Sequence, residues 1–267
     1  MAQQHPRDTW AAGDAYEPYI GRWSRLVARE FLARLGLPPR LLWLDVGCGT
    51  GALTQAILDC AEPLQVTGID PSEGFVAVAR ERTRHPRASF RIGDAQKLPL
   101  AAAAVDIAVS GLVLNFIPDP AKAVAEMRRV VQPGGMVALY VWDYAGEMQL
   151  IRRFWDAVVA LDPSARDLDE ARRFPICQPE RLTELLRAAG LEQVDAQTID
   201  VPTVFKDFDD YWMPFLGGQG PAPTYCASLS EDRRTQLRER LRTMLPVRAD
   251  GSIRLLARAF AVRGARA

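Results

Sequence analysis

The segment Leu41-Leu-Trp-Leu-Asp-Val-Gly-Cys-Gly-Thr-Gly51 constrains this chain more than any other feature. It reads as a buried strand running straight into a glycine turn, with one carboxylate, Asp45, near the strand's end. Gly47, Gly49 and Gly51 carry no side chains to hold a ligand away from the backbone, and the turn prepares the N-terminus of the helix that follows. A strand that enters such a turn needs a sheet around it.

That sheet is legible in the pattern downstream. Apolar residues at helical spacing from Tyr19 to Leu35 are stopped by Gly36 and Pro38-Pro39. Strand patterns then fall at 41–46, 64–69, 89–92, 105–109 and 136–142, separated by helical patterns at 52–60, from Pro71-Ser72-Glu73 onward, and from Asp119-Pro120. Asp119 is a capping carboxylate followed by proline in the first turn, and Pro133-Gly134-Gly135 breaks that helix. Short apolar strands interleaved with helices imply a parallel sheet covered on both faces. Ligands of such sheets sit beyond the carboxyl ends of the strands. Asp45, Asp70, Asp94 and the Ser110-Gly111 turn all fall at such ends, so four separate segments point to one crevice.

The second half predicts a helix over 148–161, another opening at Gln178-Pro179-Glu180 and closing at Gly190, and two final strands at 194–204 and 253–262. Between those strands lie an aromatic segment (Phe205, Phe208, Tyr211, Trp212, Phe215), a Gly/Pro-rich loop, and a helix over 230–245. The domain reading is an N-terminal helical flap at 1–40, a core at 41–205 plus 251–267, and a helical cap at 206–250 inserted before the last strand.

Composition excludes several classes of function. Thirty-three basic residues balance 33 acidic ones, so no global field gathers nucleic acid or anionic membrane. No stretch approaches the length of a charge-free spanning helix, and the N-terminus lacks the apolar core of a signal peptide. The four cysteines (48, 60, 177, 226) and two histidines (5, 85) form no metal-ligand spacing. The expectation is a cytoplasmic, reduced protein without a metal, a monomer or homodimer. The arginines of the 230–245 helix are interrupted by Glu231, Asp232 and Glu239, the mark of a solvated face.

On its own, Gly47-Cys-Gly-Thr-Gly-Ala52 also fits a loose dinucleotide fingerprint with Asp70 on the ribose. The third glycine, however, comes one position early. Asp45 suits a positive charge better than a pyrophosphate, and no basic side chain lies in the turn to serve phosphates. The chain resembles the class I S-adenosylmethionine-dependent methyltransferases, closest to their small-molecule branch. Five segments carry the resemblance in order: Leu44–Gly51, Val66–Ser72, Gly93–Leu100, Val105–Asn115 and Val131–Gly135.

The resemblance implies a Rossmann-like α/β fold, a doubly wound, mostly parallel seven-stranded sheet with helices on both faces and a helical cap insertion. It implies S-adenosyl-L-methionine as cofactor and a small organic acceptor, with no nucleic-acid or membrane partner. A noncatalytic S-adenosylmethionine sensor or assembly protein, and a nucleic-acid methyltransferase, are the alternatives. In its terms Asp45 lies at the methionine ammonium with the Gly47 backbone close to that end, and Gly49 is a further cofactor-binding residue. Asp70 takes the ribose hydroxyls, with Pro71 and Ser72 alongside the adenosine. Asp94 accepts from the adenine amine, the Ala95 N–H donates to a ring nitrogen, and the Ser110 carbonyl suits the ammonium. Tyr16, Tyr19 and Gly21-Arg22-Trp23-Ser24 form a flap, with Arg22 toward the cofactor carboxylate. No residue stands out as a catalytic base; Asp143, Tyr144 and Asp207 are the candidates. Asn115 stands where related small-molecule enzymes often have histidine. The acceptor pocket is expected from the region after Trp142, the 148–161 helix and the cap.

Overall fold

The structure, a computed structural model, describes residues 17–218 and 220–267. After a π-type turn at Glu17–Gly21 come α1 (Arg22–Leu35), β1 (Leu42–Val46), α2 (Ala52–Cys60), β2 (Gln65–Asp70), α3 (Glu73–Arg82), β3 (Ala88–Ile92) and β4 (Val105–Gly111). Then follow α4 (Pro120–Val130), β5 (Val131–Trp142), α5 (Gln149–Leu161), the single turn α6 (Glu170–Arg173), α7 (Pro179–Ala188) and β6 (Glu192–Phe205). The chain ends with α8 (Phe208–Trp212), α9 (Pro221–Ser228), α10 (Glu231–Met244) and β7 (Ile253–Ala265).

Two compact units result, and neither is one continuous stretch. The larger holds Trp23–Asp143, Phe174–Val201 and Arg258–Ala267. The other takes, of the described residues, those from Glu17 to Arg22, then Tyr144–Arg173 and Pro202–Ala257. In this grouping most of α1 goes with the larger unit, and α5 and α6 with the 202–257 segment.

The larger unit is built on the sheet, whose strands run in the order β3-β2-β1-β4-β5-β7-β6. Strands β1 to β5 are parallel and β7 is antiparallel to β5. From β1 the chain winds outward to β3, then jumps back to β4 and winds the other way. Right-handed crossovers therefore send α2 and α3 to one face and α4 to the other. The reversal falls between β1 and β4, where the two following loops part and leave a crevice. The seven-stranded α/β architecture expected from the pattern is the one observed.

Central strands read as near-continuous apolar runs because both faces are covered: Trp43, Leu44, Val46, Val66, Ile69, Ile107, Ala108 and Val109 are buried. Burial of a side chain as large as Trp43 or Leu44 is worth roughly 1.5–3 kcal/mol. Helix α1 presents Trp23, Val27, Phe31 and Leu35 inward at four-residue spacing, with the Phe31 ring 4.7 Å from that of Tyr140 on β5. As expected, Asp119 caps α4, accepting from the Lys122 N–H at 3.0 Å. Strand β5 begins earlier than the predicted Met136. Its register against β4 slips between Val105 and Ile107, so Gln132 to Gly135 ride as extra length in the strand.

The second unit is held together by aromatic rings. Phe154 of α5 stacks on Phe215 at 4.5 Å, and Phe215 also meets Tyr19 at 5.6 Å and Tyr211 at 5.5 Å. The Tyr211 hydroxyl donates to the Leu150 carbonyl at 3.1 Å. The Gly/Pro-rich loop expected here contains α9, because Pro221 and Pro223 stand in its first turn, where a missing N–H costs nothing.

Candidate cofactor crevice

The crevice begins with the glycine turn after β1. Gly47, Gly49 and Gly51 have φ of 73°, 52° and 89°, the left-handed region that favours glycine. The N–H groups of Gly47 and Cys48 both donate to the Ile69 carbonyl, at 2.7 and 3.1 Å, tying the turn to the end of β2. A Cβ on Gly47 would sit 2.5 Å from Val113 Cγ1, whereas one on Gly49 would meet nothing within 4 Å. The first glycine is thus required by packing. The second leaves bare backbone facing open space, the cradle a ligand needs.

Two carboxylates border this cradle. Asp45 is buried; its Oδ2 accepts from Thr54 Oγ1 of α2 at 2.7 Å, and its Oδ1 has no partner among the described residues. Burial pushes its pKa up to about 7, against the Thr54 hydrogen bond, and the nearby Asp70 charge adds to the rise. Asp70, at the end of β2, accepts from the Gly49 N–H at 3.0 Å and the Ser72 N–H at 2.9 Å. Burial raises its pKa as well, and those two N–H groups oppose the rise. Each Asp70 oxygen keeps a lone pair for a further donor. The pair makes a buried acceptor-rich site that a cationic or hydroxyl-bearing ligand would satisfy.

The remaining expected residues fall as follows. Ser72 caps α3, its Oγ accepting from the Phe75 N–H at 3.3 Å, and Pro71 beside it is exposed. Asp94 follows β3, exposed, in a tight turn in which its Oδ1 accepts from the Gln96 N–H at 2.8 Å. Ala95 is buried next to it. Ser110 is buried in β4 opposite Leu139, with an Oγ that has no partner among the described residues. Asp45, the glycine turn, Asp70, Pro71, Ser72, Asp94, Ala95 and Ser110 all belong to the larger unit.

Arg22 belongs to the other unit, where its guanidinium donates to Asp210 at 3.0 Å and lies 4.8 Å from the Phe205 ring centre. Tyr16 lies outside the described residues. Among the candidate bases, Asp207 caps α8 through the Asp210 N–H at 2.8 Å, a structural duty. Asp143 follows β5, buried, with its N–H on the Arg258 carbonyl at 2.9 Å. Tyr144 is buried in the second unit. Burial drives the Cys48 thiol far up, so it carries no nucleophilic thiolate.

Sequence reasoning missed two groups and the state of a third. Thr54, the partner of Asp45, was legible only as a lone hydroxyl among apolar α2 residues. Glu126 and Arg129 of α4 hold the loop after Asp94: Glu126 accepts from the Leu98 N–H at 2.8 Å, and Arg129 donates to the Leu98 and Leu100 carbonyls. Asn115 was noted as a substitution, but nothing in the sequence shows that both polar atoms of its buried amide lack partners among the described residues. Four arginines of α10 are engaged within the second unit: Arg233 on Asp162, Arg234 on the Cys226 carbonyl, Arg238 on Asp209 and Arg242 over the Phe208 ring.

Residues 44–139 match the methyltransferase domain family. The chain is 32% identical, over 69% of its length and 57% of the relative's, to 2-methyl-6-phytyl-1,4-hydroquinone methyltransferase of Synechocystis. It is 31% identical, over 61% of its length and 58% of the relative's, to trans-aconitate 2-methyltransferase of Variovorax paradoxus. The chain spans less than six-tenths of the length of these curated relatives. Its fold is shared with Haemonchus contortus phosphoethanolamine N-methyltransferase 2, solved with S-adenosyl-L-methionine, at a TM-score of 0.60 and 19% identity, covering 95% of this chain and 56% of that one. The doubly wound sheet with this crevice is the architecture the two share. Residues 44–139 thus carry a methyltransferase domain, and S-adenosylmethionine is the cofactor of that domain's family.

Proposed function

We propose that this protein is a methyltransferase that holds S-adenosylmethionine in the β1–β4 crevice and delivers its methyl group to a small organic acceptor. One observation supports this above all: a buried aspartate with a free oxygen, Asp45, stands beside Asp70 and an open glycine turn. A buried carboxylate oxygen without a donor is costly, and a ligand ammonium removes that cost. Asp70 would receive the ribose hydroxyls on its remaining lone pairs, with Pro71 and Ser72 alongside. Asp94 and the Ala95 N–H would meet the adenine edge, and the Ser110 carbonyl and Gly47 backbone the methionine end. Arg22, which donates to Asp210, and Tyr16 keep their proposed flap roles toward the cofactor from the sequence alone.

S-adenosylmethionine supplies an electrophilic methyl on a positively charged sulfur. What the chain contributes is position and exclusion of water, which suffice for an acceptor that is already nucleophilic. A small-molecule acceptor is supported by the relatives, named for a hydroquinone and for trans-aconitate.

Calorimetry with S-adenosylmethionine, S-adenosylhomocysteine and NAD tests the cofactor reading. The two sulfur ligands should bind and NAD should not; the reverse pattern would end the proposal. Asp70→Ala should weaken S-adenosylhomocysteine binding by about 100-fold or more, since two charge-assisted hydrogen bonds are lost. Unchanged affinity in a folded variant rejects the ribose role. Turnover across a metabolite panel separates an enzyme from a noncatalytic binder.

A further inference from the structure

Two adjacent carboxyls of the second unit are treated in opposite ways. Arg152 and Trp155 stand one turn apart on α5, and both reach α6. Arg152 donates to the two oxygens of Asp169, at 3.1 and 2.6 Å, and Asp169 accepts from the Ala171 N–H at 2.9 Å. That pair anchors the turn. Glu170, next in the chain, is buried and accepts from the Trp155 indole N–H instead. No arginine or lysine pairs with it among the described residues. Asp169 and Arg173 on its own turn, and Tyr19 from the 17–21 turn, are the groups whose charge bears on it.

A buried acid served by one neutral donor is costly, and an apolar side chain would pack there without that cost. What surrounds it is aromatic. Phe154 and Trp155 meet edge to face at 5.5 Å, and the Tyr225 ring tilts against Trp155 at 5.5 Å. Phe215 stacks on Phe154 and meets the Tyr19 ring. Tyr19 is buried, its hydroxyl has no partner among the described residues, and Glu170 leads the charges that act on it, ahead of Tyr144, Tyr211 and Cys226. Buried polar groups are almost always paired, so an orphan phenol beside an unpaired acid marks a contact that a ligand completes.

The sign of that ligand follows from the groups present. Ring faces carry negative potential, the acid becomes an anion on losing its proton, and the phenol oxygen offers lone pairs. All three attract a cation, and an anion would find no counter-charge. An organic ammonium donates N–H groups to both oxygens and lays its carbon skeleton on the rings. Phe215 is the ring placed to yield on entry. It rides the 3-10 turn Met213–Gly217, followed by Gly218 at φ 67°, whereas Phe154, Trp155 and Tyr225 are fixed in α5 and α9.

We propose that the second unit binds a small organic amine as its ammonium ion. The Glu170 carboxylate is the counter-ion, the Tyr19 oxygen a second acceptor, and Phe154, Trp155 and Tyr225 the aromatic wall. The site lies wholly within this unit and does not depend on the cofactor reading.

Calorimetry on the protein alone, with benzylamine and its neutral counterpart benzyl alcohol, tests this. Benzylamine should bind about tenfold or more tighter. Because burial holds the Glu170 proton to about 8, the amine should displace about one proton at pH 7 and fewer at pH 9. Titrations in buffers of different ionisation enthalpy count those protons. Glu170→Gln keeps an acceptor for the indole, and should lose both the preference for the amine and the proton release. Tyr19→Phe should weaken benzylamine severalfold without lowering Tm, because the hydroxyl has no partner to lose. Equal affinity for the two probes, or binding of neither, overturns the proposal. So does benzylamine binding without proton release at pH 7, or with undiminished affinity in Glu170→Gln.

Discussion

Asp45 shows how much a single buried carboxylate can decide. With its pKa pushed up to about 7 by burial, it is largely protonated in slightly acid solution and must give up that proton to pair with an ammonium. Affinity for S-adenosylhomocysteine should therefore rise about tenfold per pH unit below 7 and level off above it. Calorimetry from pH 5 to 8 measures this, and Asp45→Asn should flatten the rise while weakening binding throughout. A pH-independent affinity would remove Asp45 from the ammonium. The carboxylate at the end of β1 was legible because it interrupts an apolar run just before the glycines. Its unpaired oxygen was not, because that depends on Thr54 reaching only one side of it.

Among the elements, β5 departs most from its sequence pattern. Pro133-Gly134-Gly135 reads as a break between helix and strand, yet it runs within the strand as a bulge against β4. Gly135 explains the requirement there. A Cβ would lie 2.3 Å from the Asp106 carbonyl oxygen, a backbone atom with little freedom to retreat. Gly135→Ala should destabilise the fold by about 1–3 kcal/mol, seen as a lower midpoint in urea denaturation. An unchanged midpoint would show that β4 and β5 can part at this point. Helices α2, α3 and α4 were legible from period and caps. The one-turn α6 and the proline-started α9 were not, since short helices are made by packing more than by propensity.

Taken over the whole molecule, pH acts on stability through both units. Asp45 in one and Glu170 in the other hold their protons to about 7 and about 8, against ordinary values of 3.8 and 4.5. Burial is the main cause in each. Glu170 also accepts from the Trp155 indole N–H, which opposes the rise. Between those limits the folded chain binds more protons than the unfolded one, so stability falls as pH rises from about 4 to about 8. The stabilisation from these groups is complete below pH 4 and lost above 8. Glu170→Gln, which keeps an acceptor for Trp155, should flatten the upper part of that decline and melt above the wild type at pH 9 by circular dichroism. An unaltered Tm profile would show that Glu170 ionises as freely folded as unfolded. The sequence by itself determined the order of strands and helices, the glycine turn and the carboxylates at the strand ends, because these follow from local period, backbone freedom and spacing. Only the tertiary structure decided which residues share a unit, that Arg22 pairs with Asp210, and that Asp45 and Asn115 keep unpartnered atoms. Pairing and desolvation depend on residues far apart in the chain, and no local pattern records them.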